Sequence, residues 1–214
     1  MNLRSLRRYA TARSRRPGWA VGERCELCAA PLDSAHRHVV DLDRRSICCS
    51  CRPCALLFEQ PGAGAGHYRT VPTRVCTVPE PFDRERWDAL SIPVGLFFVF
   101  FNGALGRWVV TYPSPAGPTE SELPLEAMDD LVASSRLLRE VQPDVEALLV
   151  RSPRGGGEPE AMLVPIDACY DLVGIVRRDW KGFDGGDEVR AKMGAFFGAL
   201  RKRSRPLPEE GGAA

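Results

Sequence analysis

The sequence has few of the features that membrane proteins and exported proteins require. Its longest apolar run, residues 92–101, has ten residues and contains Pro93, whereas a membrane-spanning helix needs about 20. The Arg-rich N-terminus is not followed by the apolar segment of a secretory signal. We therefore predict a cytoplasmic protein with no membrane span, in which residues 92–101 form a buried strand.

Histidine and asparagine are also scarce, which limits the possible enzymes. The chain has three histidines, and two of them, His36 and His38, lie among clustered cysteines. The order CxxC, HRHVVDL, CxxC resembles the treble clef of HNH nucleases, which also need an asparagine and a further histidine after the second turn. After that turn, the sequence offers His67 and Asn102, and these do not form the missing half. The enzyme question stays open, with a non-catalytic role favoured.

Cysteine, in contrast, is abundant and clustered. Six of the eight cysteines fall in residues 25–54, and in a reducing cytosol such clusters indicate metal binding or redox chemistry rather than disulfides. The spacing C-x2-C-x22-C-x2-C places two CxxC turns where they can face one tetrahedral ion. The predicted metal ligands are Cys25, Cys28, Cys51 and Cys54. Four thiolates leave no open coordination position, so the predicted site is structural, and its predicted ion is Zn²⁺.

Several alternatives to this assignment remain open. Cys49 points to the same side of its strand as Cys51 and is a substitute ligand, and His38 on the opposing strand is another. Iron in a rubredoxin-like electron carrier would use the same four sulfurs, although the glycines usual after rubredoxin turns are replaced by Ala29 and Ala55. CRPC also resembles the redox motif of thioredoxin-like proteins, but that motif needs a βαβ setting.

Composition shifts divide the chain into five predicted segments. The first 54 residues carry eleven arginines against five acidic residues, so a nucleic-acid-binding protein using an Arg-rich arm is a further alternative. The segments are a flexible basic arm (1–21), a four-cysteine hairpin module (22–58), a Gly-rich linker (59–68), an α+β domain (69–203) and a flexible tail (204–214).

Hydrophobic periodicity predicts hairpins separated by helices. The pairs are HVVDL with RRSICCS, VGLFFVFF with RWVVTY across an Asn102-Gly103 turn, and VEALLVRS with EAMLVPI. Helices are predicted in residues 83–92, 124–140 and 187–203, and after a capping Asp167, whereas residues 112–122 are predicted to be a long loop. The fold class is thus α+β: a small zinc-ribbon-like hairpin module, then an α+β domain with a mainly antiparallel sheet and flanking helices.

Several segments together resemble a known group of sequences. They are CELCAAPL, HRHVVDL, CSCRPCALLF, WDALSIPVGLFF, YPSPAGPTES and VPIDACYDLVGIVRRDW. Over residues 22–203 the chain resembles a family of uncharacterised actinobacterial proteins encoded beside uptake [NiFe] hydrogenase genes. The resemblance implies a non-catalytic zinc-binding accessory protein that assists assembly, complex formation or electron delivery. Its expected partners are hydrogenase subunits or maturation factors, because the chain lacks the two further CxxC pairs of a hydrogenase itself.

Overall fold

The computed structural model describes residues 23–78, 87, 94–121, 125–152, 159–182 and 185–208. It confirms the predicted class: a mixed α+β protein with mainly antiparallel sheets, flanking helices and an N-terminal cysteine cluster. The strands are β1 (Arg37–Asp41), β2 (Ser46–Ser50), β3 (Tyr68–Thr70), β4 (Cys76–Thr77), β5 (Leu96–Asn102), β6 (Arg107–Ser114), β7 (Gly117–Ser121), β8 (Glu146–Arg151), β9 (Glu160–Pro165) and β10 (Arg205–Pro206). The helices are α1 (Arg52–Leu57), α2 (Leu125–Ser134), α3 (Arg136–Arg139), α4 (Ile166–Asp179) and α5 (Gly186–Arg203).

A small sheet of order β2-β1-β3 contains the strands of the cysteine-rich segment. The predicted β1–β2 hairpin is confirmed, with His38 opposite Cys49 and Val39 opposite Cys48. Because side chains alternate across a strand, Val39 and Cys48 lie on one face, and His38 and Cys49 on the other. After α1, a 3-10 turn at Ala63–Gly66 leads the chain back to β3, which pairs with β1. The predicted segment boundaries stay predictions.

A seven-stranded sheet of order β10-β4-β9-β8-β5-β6-β7 forms the rest of the framework. The predicted hairpins β5–β6 and β8–β9 are confirmed. Alternate residues of its central strands enter two separate hydrophobic cores. One core holds Phe98, Leu149, Met162 and Val164 with Leu172 of α4 and Phe197 of α5. The other holds Val99, Leu148, Val150 and Leu163 with Met128 of α2 and Leu137 of α3. Helices cover both faces of the large sheet, and the central strands are accordingly apolar on both sides.

Helix α4 begins differently from the prediction. The sequence predicts Asp167 as its cap, but Pro165 occupies the position before the first helical residue and Asp167 lies in the first turn. A carboxylate there still favours the helix dipole. Its side chain is directed to the small sheet instead, where Oδ2 lies 2.7 Å from Nδ1 of His38. The predicted helix in residues 187–203 is confirmed as α5, with acidic residues in its first turn and basic ones in its last.

Two other predictions are wrong in detail. Residues 112–122 are not a long loop, because β6 continues to Ser114 and pairs with β7, opposing Pro113 to Pro118. The β5–β6 turn does not place Asn102 and Gly103 at positive φ. Its left-handed residue is Gly106, with φ of 62°, while Asn102 Oδ1 accepts a hydrogen bond from the Leu105 amide at 3.0 Å. The turn has four residues between the strands, so it does not need the geometry of a two-residue turn.

The two outer strands of the large sheet each carry a proline. In β10 the amides of Arg205 and Leu207 donate to Val75 O and Thr77 O, so Pro206 between them faces outward. In β7, Pro118 lies directly opposite Pro113. Two prolines cannot exchange amide hydrogen bonds, so this is a non-hydrogen-bonded pair and Pro118 also faces outward.

Some predictions lie outside the described residues. They are the basic arm up to residue 21, most of the short helix in residues 83–92 and the tip of the β8–β9 loop. Trp87, from that predicted helix, is described, and it is buried in the core that holds α2 and α3. In the part of the chain that the structure describes, no helix combines the length and the apolar character needed to cross a bilayer.

Candidate metal centre

The four predicted cysteines converge in space. The sulfurs of Cys25, Cys28, Cys51 and Cys54 all lie within 4.8 Å of one another, and those of Cys28 and Cys51 are 3.6 Å apart. A disulfide would bring two sulfurs to about 2.0 Å, so these thiols are not bridged. Four ligands at about 2.3 Å around a tetrahedral zinc ion would be about 3.8 Å apart. The cluster therefore has the dimensions of a single four-thiolate site.

Backbone hydrogen bonds shape the first CxxC turn. The Ala29 amide donates to Cys25 O at 2.7 Å, and the Cys25 amide donates to Ala30 O at 2.8 Å. Ala29 adopts φ of 62°, a conformation that costs an L-residue about 1–2 kcal/mol and that glycine adopts freely. The alanine at this position therefore still makes the turn that a glycine usually makes.

The second CxxC turn is fixed by a strand and a helix. It leaves β2 after Ser50, and Cys51 occupies the position before α1, which begins at Arg52 with Pro53 in its first turn. Proline is favoured there because the first helical amides have no partner within the helix. The Glu26 amide donates to Cys49 O at 2.9 Å, which joins the first CxxC turn to the end of β2, two residues before the second turn.

The redox interpretation of CRPC lacks its expected setting. A helix does begin within the motif, at Arg52, but β2 before it belongs to an antiparallel sheet and not to a βαβ unit. The thiols of Cys51 and Cys54 also lie against the other CxxC turn. The second turn is thus arranged to supply two of the four ligands of a metal site.

The environment of the sulfurs differs across the cluster. Burial raises the pKa of the Cys25 thiol, but hydrogen bonds to its sulfur from the amides of Cys51, Cys28 and Leu27 outweigh burial and bring the pKa to about 6. Burial and the neighbouring thiols raise the pKa of Cys54 well above its usual range. The backbone amides thus favour the charged form of Cys25, and a bound cation would offset the charge of the thiolates in the cluster.

A cationic side chain, Arg24, lies beside the first turn. Arg24 Nη1 donates to Ala29 O at 3.0 Å. Four thiolates around a divalent ion carry a net charge of −2, which nearby cations and amides offset. Arg24 directly precedes the first ligand, and that position in the sequence was the signal that could have identified it.

The two proposed substitute ligands belong to a second group. Cys49 and His38 lie with His36 so that one ligand atom from each falls within 4.8 Å of the others. Cys48 lies on the opposite face of β2. The sequence pattern indicates His38 and Cys49 but does not single out His36, although His36 lies two residues before His38, directly before β1, where alternation favours one face for both histidines.

Two further cysteines are packing residues. Cys76 and Cys169 are buried in the two separate cores of the large sheet. Burial raises the pKa of Cys169 well above its ordinary value, so this thiol stays protonated and unreactive.

A cavity lies between the two sheets, beside the second group. Its volume is about 850 Å³, and His38, Ile47, Phe100, Asp167 and Tyr170 are among its lining residues. Its lining residues come from positions far apart in the chain, so no local sequence motif predicts the cavity. The four-cysteine cluster is not among its lining residues.

The fold and the cluster define an α+β protein with a four-sulfur site that can hold a metal ion. The chain belongs to a family of unknown function, DUF5947, whose sequence pattern matches residues 24–204. That match begins next to the first cysteine and ends after α5, so it covers both sheets. Neither a curated protein nor a solved structure matches the chain.

Proposed function

We propose that the protein is a zinc-binding accessory protein in which the four-cysteine cluster is a structural site. The observation that carries the proposal is the convergence of four sulfurs within 4.8 Å, with one pair 3.6 Å apart. Four protein thiolates occupy all four coordination positions of a tetrahedral ion, which leaves no position for a water molecule to be activated. The ion holds the turn at Cys25–Cys28 against the end of β2 and the start of α1.

The helix that contains Cys54 also exposes two apolar side chains. In α1, Leu56 is 53% exposed and Leu57 is 66% exposed, and both follow Cys54 closely. Adjacent exposed leucines on a helix fixed by a metal site suit contact with another protein. We propose that the leucine pair, Leu56 and Leu57, contacts a protein partner. The family resemblance suggests a [NiFe] hydrogenase subunit or maturation factor as that partner.

Metal analysis tests the structural site. The purified protein is expected to contain zinc, and Cys28→Ser is expected to lose the ion of this site. Cys48→Ser is the matched control, since it removes a thiol on the same hairpin from the face opposite the predicted ligands. A red protein containing iron in place of zinc would support the rubredoxin-like alternative. Unchanged metal content in Cys28→Ser would overturn the assignment.

Co-purification tests the proposed partner. Tagged protein expressed with hydrogenase subunits and maturation factors is expected to retain one of them, and Leu56→Asp with Leu57→Asp is expected to abolish that retention. Leu105→Asp is the control, because Leu105 is an exposed leucine, at 40%, in the β5–β6 turn. Equal retention by both variants would contradict the role of the leucine pair. Recovery of nucleic acid with no hydrogenase protein would favour the nucleic-acid alternative.

A further inference from the structure

A second group of metal-ligating side chains lies on the face of the β1–β2 hairpin that bears His38. His38 pairs directly with Cys49 across the two strands, and His36 lies two residues before His38. The imidazole rings of His36 and His38 have centroids 4.8 Å apart. One ligand atom from each of the two histidines and from Cys49 falls within 4.8 Å of the others.

His36 has a buried nitrogen with no partner. Its Nδ1 lies 3.0 Å from the carbonyl oxygen of Asp33 and 3.7 Å from Glu23 Oε2. A carbonyl can only accept, so Nδ1 carries the hydrogen and Nε2 has a free lone pair. The side chain is 10% exposed, and Nε2 is buried without a hydrogen bond. A buried polar atom without a partner costs about 1–3 kcal/mol, and a metal ion would remove that cost.

His38 is held in the same tautomer by a carboxylate. Its Nδ1 lies 2.7 Å from Asp167 Oδ2. Asp167 is 129 positions away in the chain, on the first turn of α4. Metal-binding histidines commonly donate their second ring N–H to a carboxylate, which fixes the ring and makes its other nitrogen a better ligand. His38 has that arrangement, with Nε2 left for an ion.

Cys49 supplies a thiol as the third potential ligand of this group. Its amide donates to Glu26 Oε2 at 2.6 Å, and its carbonyl accepts from the Glu26 amide at 2.9 Å. The backbone at Cys49 is thus fixed on both sides by one residue of the first CxxC turn. The position of this thiol is set by the same turn that forms the four-cysteine cluster.

We propose that His36 Nε2, His38 Nε2 and Cys49 Sγ form a second metal site, for a zinc ion with one coordination position open to water or a small ligand. Three protein ligands plus an open position distinguish ligand-binding zinc sites from closed structural ones. Two neutral imidazoles and one thiolate leave a net charge of +1 on a divalent ion, which suits an anionic fourth ligand.

The ligand chemistry narrows the choice of ion. Imidazole and thiolate together suit zinc and copper and do not suit magnesium or calcium, which prefer oxygen. Two histidines and one cysteine are also the equatorial ligands of electron-transfer copper sites, which add a weak axial ligand such as methionine. The methionines of the described chain, Met128, Met162 and Met193, pack in or against the hydrophobic cores of the large sheet, so we assign zinc.

Metal titration of the full chain tests the second site independently of the first. The metal-free protein is expected to bind two equivalents of Zn²⁺, measured by mass spectrometry of the intact protein. Co²⁺ in place of Zn²⁺ is expected to give visible absorption in two steps. His36→Ala and Cys49→Ser are expected to lose the second equivalent and retain the first, while Cys28→Ser loses the four-cysteine equivalent.

Two further variants separate a ligand role from a general loss of folding. Asp167→Asn keeps the shape of the side chain but not its charge, and is expected to weaken the second equivalent by about 10- to 100-fold while the first is unchanged. Cys48→Ser is expected to bind both equivalents as the wild type does. Binding of Cu²⁺ with a strong thiolate charge-transfer band, but no second Zn²⁺, would overturn the assignment of zinc. A single equivalent in the wild type that His36→Ala leaves unchanged would overturn the second site and leave the four-cysteine site intact.

Discussion

The region of the small sheet, residues 23–70, and the rest of the described chain are stabilised in different ways. The small-sheet region buries four apolar side chains, Cys25, Val39, Val40 and Ala55, against thirty-three elsewhere in the described residues. The large sheet has a hydrophobic core on each face. A segment as small as the first region cannot bury enough apolar surface to fold alone, and metal sites commonly make up the difference. The comparison implies that metal binding orders one region, and hydrocarbon burial orders the other.

Removing the metal should produce the largest difference in stability between the two regions. After chelation, or in Cys51→Ser, we expect amide hydrogens of β1 and β2 to exchange at least about tenfold faster, because local opening no longer breaks metal bonds. Amides of β8 and β9 should keep their protection. Hydrogen exchange with mass spectrometry measures both regions in one sample. Cys48→Ser is the control, and uniform acceleration across both sheets would contradict a division between them.

Arg74→Ala should show that the large-sheet region also depends on one buried charge. Glu146 is fully buried, and Arg74 binds both of its carboxylate oxygens, at 2.6 and 2.8 Å. Removing the guanidinium leaves a buried carboxylate unpaired, which should lower the free energy of unfolding by about 4 kcal/mol in urea titrations. Arg74→Met with Glu146→Leu should restore much of that loss. An equally large loss in the double variant would mean that packing, and not charge, explains the effect.

Leu172→Ala should measure the hydrocarbon core directly. Leu172 is fully buried where α4 packs on the large sheet, and its truncation should lower the free energy of unfolding by about 3 kcal/mol. The metal content should not change, since the side chain lies outside both ligand groups. Leu105→Ala, at an exposed leucine, should stay within about 0.5 kcal/mol of the wild type. Loss of metal in Leu172→Ala would show that the two regions unfold together.

A pair of glycines should give the smallest effects, and in opposite directions. Gly106 has φ of 62° and open space where a Cβ would lie, and Gly174 lies in α4 with the same open space and no positive φ. Gly106→Ala should therefore cost about 1 kcal/mol from backbone strain alone. Gly174→Ala should stabilise the protein by about 0.5–1 kcal/mol. Thermal unfolding measures both, and destabilisation by Gly174→Ala would indicate a close neighbour in solution.

The four-cysteine cluster and the three hairpins were predictable because their signals are local. The spacing of the cysteines and the alternation of β1 and β2 depend on a few neighbouring residues. The second ligand group was visible only in part. His36 and His38 share a face by period, but the pairing of His38 with Cys49 depends on the length of the turn between the strands. Asp167, the carboxylate that orients His38, comes from a distant helix that no spacing rule connects to it.

Short strands were missed for a related reason. β4 and β10 have two residues each, and they exist because a neighbouring strand offers hydrogen bonds and not because of their own propensity. β7 contains glycine and proline, which ordinarily indicate a loop. The register with β6 overrides that preference. Elements that depend on tertiary partners in this way leave little trace in a local pattern.

The outward-facing prolines of β7 and β10 bear on how the protein behaves at high concentration. Pro118 and Pro206 present no amide donor to an incoming strand, so another chain cannot extend the large sheet by regular pairing at either place. Edge-to-edge aggregation is the common hazard of a broad, apolar sheet. Here the sequence discourages it at both margins, so the central strands can be strongly hydrophobic without making the protein prone to fibre formation.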